Sequence, residues 1–206
     1  MRLPALIVIT DVSRYGRAHT LAKLVVLLSA AVPGSVMVQL RDRSLPAGER
    51  LALGRDLRKL TRAHGQLLCI NDRLDLALVV GSDGVHLGEH SVTPADARAL
   101  VGSGFLITRA CHDPARLTQS SGANACLLSP VFSPRKGNPA LGFRALERAR
   151  QRLLRNEAGQ ALYALGGVDA EAARRCVRLG VGVAVVGAAF DTVDPSELLD
   201  AVGIAC

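Results

Sequence analysis

The stretches VMVQLRDRS (residues 36–44) and CINDRLDLAL (residues 69–78) decide how this chain is read. Each begins as a short apolar run of the kind that fills one strand of a sheet buried on both faces. Each then breaks into a polar cluster, Gln39, Arg41 and Arg43 in the first and Asn71, Asp72 and Arg73 in the second. Charged groups therefore gather where two strands finish. Guanidinium forks pair with phosphate oxygens while a carboxylate holds a hard cation, so the pattern suits a magnesium-bound polyphosphate.

Outward from these two runs the same theme recurs. PALIVIT, SVMVQL, QLLCI, GVHL, FLITR, ACLLS, ALYAL and VGVAVV are eight strand-like runs with helical segments between them. Thr93–Pro94, Asp113–Pro114 and Asp194–Pro195 each set a capping side chain before a proline suited to a first helical turn. Asp169 opens a further helix that Gly180 can close in the left-handed conformation. Eight alternating units in 206 residues predict an α/β fold, a closed parallel (β/α)8 TIM barrel forming one domain over residues 1–206. A doubly wound open sheet is the alternative. No G-x-G-x-x-G or P-loop follows the first strand, which speaks against a nucleotide fold.

A barrel places its chemistry just after the strands, and the polar clusters of this chain fall there. ALGGVD (164–169) and VVGAAF (185–190) put Gly166, Gly167, Gly187 and Ala188 after the last two strands, where backbone N–H groups can close on a phosphate. Asp72 is the metal candidate, although an acidic residue there also suits a helix cap. His112, in TRACHDP, stands at a strand end where a base is useful. His86 lines the site, and Cys111 reads as a small packed thiol. SPVFSPRKGNPALG (129–142) has the composition of a lid that delivers Arg135 or Lys136, the latter one of three lysines against 22 arginines.

Composition limits the other classes. The +7 net charge comes from arginines spread along helices, and aromatics make up only 3% of the chain, so no nucleic-acid partner is expected. The apolar runs are too short to span a bilayer, and MRLPALIVITD has no small-residue cleavage site, so no membrane partner and a cytoplasmic location are expected. Five widely spaced cysteines suggest neither a disulfide framework nor a zinc site.

Taken together, QLRDR, NDRLDLALxxGxDGVHLGE, a strand ending in CH, SPVFSPRK…LG, ALGGV and VAVVGA resemble the family of thiamine phosphate synthases and TenI-type thiazole tautomerases. The resemblance runs from the first strand to the last. It implies a barrel binding thiazole phosphate at the glycine cup. In the synthase branch it also implies Mg²⁺ and hydroxymethylpyrimidine pyrophosphate held by Gln39, Arg41, Arg43, Asn71, Asp72 and Lys136. The tautomerase branch needs the phosphate cup and a base such as His112, and a non-catalytic phosphate-binding or regulatory relative is the third reading. The chain departs from the synthase pattern in three places. Ser91 stands where a second magnesium-binding Asp belongs, Ala110 replaces a Ser, and the lid is shortened around Lys136. Glu89 is the carboxylate available as a replacement metal ligand, and a homodimer is an open assembly.

Overall fold

The computed structural model describes residues 3–120, 122–135, 137–155 and 159–206. Eight parallel strands close in sequence order into one barrel: β1 (Leu6–Ile9), β2 (Val36–Leu40), β3 (Leu67–Asn71), β4 (Gly84–Leu87), β5 (Leu106–Cys111), β6 (Ala125–Leu128), β7 (Ala161–Leu165) and β8 (Gly182–Val185). β8 returns to β1 through the pairs Leu6–Val183 and Val8–Val185, so no sheet edge is left open. The doubly wound alternative is thereby excluded.

The helices are α1 (Val12–Tyr15), α2 (Arg17–Ser29), α3 (Ala47–Ala63), α4 (Leu74–Val80), α5 (Pro94–Val101), α6 (Phe143–Arg155), α7 (Ala170–Arg178), α8 (Gly187–Phe190) and α9 (Ser196–Val202). Thr93 caps α5 by accepting from the Asp96 N–H, and Asp169 caps α7 by accepting from Ala172, as their sequence positions require. Two expected starts differ. Pro195 stands before α9 rather than inside its first turn. Behind Asp113–Pro114 the chain forms a 3-10 helix, Pro114–Ser120, because Leu-Thr-Gln-Ser-Ser-Gly is a poor helix former and Asp113 Oδ1 instead tightens a turn onto the Ala115 N–H.

The two-residue strand period divides the core into two layers. Leu6 and Val8 face outward with Val36, Val38 and Leu40, and pack under Leu24, Leu27 and Leu28 of α2. Ile7, Ile9, Met37, Cys69, Leu127 and Tyr163 fill the barrel interior. Each such side chain contributes about 2 kcal/mol by leaving water. Tyr163 plugs the lower end and donates its hydroxyl to the Pro4 carbonyl. Its ring occupies the space beside Gly182, where a Cβ would come within 2.5 Å of Tyr163 Cε1.

Above this apolar plug the inward positions turn polar. Gln39, Asn71, His86 and Thr108, from β2 to β5, are all buried. In register, Asn71 pairs with His86, and His86 with Thr108. This belt is the floor on which the functional groups stand.

Candidate active site

A cavity of about 390 Å³ opens at the C-terminal end of the barrel. Arg41, Arg43, Asn71 and Asp72 line one side of it, and Ala110, His112, Ser129 and Gly166 the other. The strand ends singled out in the sequence thus converge on one space. Gln39 lies buried at the floor, where its amide meets that of Asn71 at 3.3 Å. With the Asn71 amide oxygen turned to Arg43, it accepts from Nη2 at 3.3 Å and Nε at 3.2 Å, the orientation its neighbours call for. Asn71 therefore fixes the second guanidinium. Arg73, by contrast, turns away and pairs with Asp75.

Positive charge accumulates at the mouth. Half-burial holds Arg41 below the usual guanidinium pKa, and the nearby cations Arg135 and Arg43 push it in the same direction. Arg135 comes from the segment after β6. There it exchanges both backbone hydrogen bonds with Asn138, at 3.0 and 2.9 Å, and both residues line the cavity. Within ion-pair distance the described residues offer this trio one carboxylate, Asp72, whose Oδ2 lies 3.8 Å from Arg43. Such a cluster has the charge and the hydrogen-bond donors that a multiply charged anion requires. Lys136 lies outside the described residues.

Asp72 has φ of +65°, a left-handed conformation that Asp tolerates better than most residues. Its N–H donates to the His86 carbonyl at 2.8 Å, which anchors that turn over β4. Its Oδ1 accepts from the Ser91 hydroxyl, which in turn accepts from the Gly88 N–H. Ser91 therefore orients the carboxylate. Glu89 shares the cavity, but its Oε1 accepts from the His112 N–H at 2.7 Å. Among the described residues no three His, Cys, Asp or Glu side chains cluster as a metal site.

His112 sits with Nδ1 2.8 Å from the Ser129 carbonyl. A carbonyl only accepts, so Nδ1 is the donor of this bond, and Nε2 is the ring nitrogen it leaves unused. His86 is different. Burial, with Arg43, Arg41 and His112 nearby, lowers its pKa to about 4 against the pull of Asp72, so it is neutral and its Nδ1 meets Thr108 Oγ1 at 2.8 Å. Cys111 is buried and its thiol is pushed up to about 12, chiefly by desolvation, which agrees with a packing role.

The glycine pairs divide. Gly166 lines the cavity, whereas Gly167 backs onto the segment after β6, and Gly187 and Ala188 begin α8 behind Val186. Gly166 and Gly167 have φ of +100° and +70°. Pro130 crowds the first and Ser133 the second, so the segment after β6 lies directly over them. Hydrogen bonds from Val131 to the Leu165 carbonyl and from Phe132 to the Gly166 carbonyl fasten it there. Among the described residues, the N–H groups of Gly166, Gly167, Gly187 and Ala188 donate to no protein acceptor. The missing Cβ of Gly187 points at Asp191 Oδ2, 2.8 Å away.

Asp42 escaped the sequence reading. It follows the strand between two arginines and resembles a third solvated charge, yet it is 6% exposed. The available signal was an acid enclosed by two cations directly after an apolar run.

Comparison with known proteins agrees with this arrangement. The thiamine monophosphate synthase family model matches residues 6–189. A putative thiamine-phosphate synthase of Geobacter sulfurreducens is 38% identical over 201 residues, covering 94% of this chain and 90% of the relative. A thiamine-phosphate synthase of Methanoculleus marisnigri is 36% identical over 180 residues, covering 84% and 81%. The solved thiamine phosphate pyrophosphorylase from Pyrococcus furiosus superposes with a TM-score of 0.80 at 26% identity, over 96% of this chain and 95% of that one. With a closed barrel, charged strand ends and a match running through nearly every element, the chain belongs to the thiamine monophosphate synthase family, transferases of thiamine biosynthesis.

Proposed function

We propose that the protein joins hydroxymethylpyrimidine pyrophosphate to thiazole phosphate, giving thiamine phosphate and pyrophosphate. The observation that carries this reading is the convergence of Arg41, Arg43 and Arg135 beside Asp72, because a pyrophosphate needs that much positive charge and a monophosphate does not. In the reaction the bond from the pyrimidine methylene carbon to the pyrophosphate oxygen breaks with its electron pair leaving on oxygen. The thiazole nitrogen then supplies the pair that forms the new C–N bond. Arg41 and Arg43 take up the developing charge on the leaving oxygens, and Asn71 keeps Arg43 in place. The free N–H groups after β7 and β8 suit the thiazole phosphate. Lys136 joins the leaving-group side on the family resemblance.

The donor set fits Mg²⁺ of the kind held by one or two protein carboxylates and completed by substrate phosphates. Asp72, oriented by Ser91, would hold it, with Glu89 as the other carboxylate in the cavity. Bound there, the ion neutralises charge on the leaving pyrophosphate. The reaction belongs in the cytoplasm, and no helix among the described residues is long and apolar enough to cross a membrane.

The test is product formation from the two substrates with Mg²⁺ and with excess chelator, for wild type and Asp72→Asn. Magnesium-dependent product that Asp72→Asn loses supports the reading; no product from wild type at saturating substrates refutes it. A second reading, proton transfer on a thiazole carboxylate phosphate, is favoured by His112, which lines the cavity while its Nδ1 is held by the Ser129 carbonyl. It predicts exchange that His112→Ala loses and Asp72→Asn keeps.

A further inference from the structure

We propose that Asp42 is the positioning residue for the pyrophosphate arginines, acting as a buried clamp between the β1 and β2 loops. The inference rests on the pyrophosphate reading of Arg41 and Arg43 and assigns the group that aims them. Immediately after β2 the chain must present both arginines to the cavity although one residue separates them, and that residue is tied down. Asp42 Oδ2 accepts from the Thr10 hydroxyl, and Oδ1 accepts from the Val12 N–H at 2.6 Å. Thr10 Oγ1 accepts from the Arg41 N–H at 3.1 Å, while the Thr10 N–H donates to the Gln39 carbonyl at 3.0 Å. Thr10 is 1% exposed. The loop of the first strand thus grips the backbone on both sides of Arg41 through one hydroxyl and one carboxylate.

The carboxylate does not reach either guanidinium, so its job is geometric. Charge and geometry then predict opposite signs. If Asp42 mattered only as a negative charge near a cationic mouth, removing it would strengthen anion binding. As a clamp, removing it releases Arg41 and Arg43, leaves the Val12 N–H without its acceptor and the Thr10 hydroxyl with only the longer bond to the Gln39 carbonyl at 3.3 Å, and weakens anion binding.

Calorimetric titration with magnesium pyrophosphate, alongside thiazole phosphate as control ligand, separates these accounts. Asp42→Ala should weaken pyrophosphate at least about tenfold and leave thiazole phosphate within about threefold of wild type. Asp42→Asn, which can still accept from Val12 and donate to Thr10, should stay within about threefold for both ligands. Should Asp42→Ala fail to fold, Thr10→Val, which removes the hydroxyl beneath Arg41 without changing its volume, should show the same selective loss. Unchanged or tighter pyrophosphate binding in these variants overturns the clamp, as does an equal loss for both ligands. Wild type that does not bind pyrophosphate at all overturns the site reading beneath it, a result distinct from either.

Discussion

Gly167→Ala offers a direct measure of how tightly the segment after β6 is seated on the barrel. The residue has φ of +70°, and a Cβ there would collide with Ser133 Oγ and stand 2.7 Å from its Cβ and 2.8 Å from its backbone N. A hydroxyl can rotate away, but a backbone nitrogen cannot, so the segment must retreat. Left-handed alanine costs about 1–2 kcal/mol, and crowding a packed contact costs about 1–3 kcal/mol more. A total near 3 kcal/mol corresponds to a fall in Tm of roughly 6–12 °C for a chain of this size. Gly34→Ala is the matched control, since Gly34 has φ of +75° with nothing within 4 Å of its added Cβ. It should lose only the conformational part, about 1 kcal/mol. Urea denaturation of both variants, followed by circular dichroism, gives the difference. Gly167→Ala as stable as Gly34→Ala would mean that the segment does not rest on Gly167, and the placement of Arg135 would fall with it.

Two further outcomes follow from the buried groups. The depressed pKa of His86, about 4 against 6.5 unfolded, means that the unfolded chain takes up a proton the folded one refuses, so its contribution is intact above pH 6.5 and is lost as pH falls toward 4. The slope approaches about 1.4 kcal/mol per pH unit between those limits, and His86→Gln should lose less stability than wild type over that interval; parallel curves would show that His86 is not the group responsible. Four of the five cysteines are buried and Cys206 is exposed, so iodoacetamide at neutral pH should label one thiol in native protein and five after denaturation, by intact mass; a second native label would show that a core thiol is accessible.

The barrel was legible because strands buried on both faces leave continuous apolar runs, and each of the eight observed strands falls on one of the eight runs read from the sequence, with β3 and β5 running on past theirs to Asn71 and Cys111. The site was partly legible for a related reason. Strand ends collect functional side chains whatever the loops do, so Arg41, Asn71, Asp72 and His112 could be placed by counting from the last apolar residue. What sequence could not show were contacts that depend on how separate loops meet. Asp42 reaches Thr10 and Val12 across about thirty residues of chain, Glu89 reaches His112 across β4 and β5, and the missing Cβ of Gly187 faces Asp191 rather than the cavity. The residues after Pro114 failed by propensity, since a proline start says nothing about whether the following run can sustain a helix.

The left-handed turn at Asp72 has a consequence for how this position tolerates change. Only short side chains that hydrogen-bond locally, or glycine, occupy such a backbone without strain. Two independent filters would therefore act on one residue: the turn admits Asp, Asn and Gly, and the proposed cation binding would retain Asp among them. An alanine at 72 would be penalised twice, once for the lost carboxylate and once for the strained backbone, and would overstate the importance of the charge. Asparagine separates the two contributions, and a chain abandoning cation chemistry would find its easiest substitutions at 72 to be asparagine and glycine, with the barrel beneath them undisturbed.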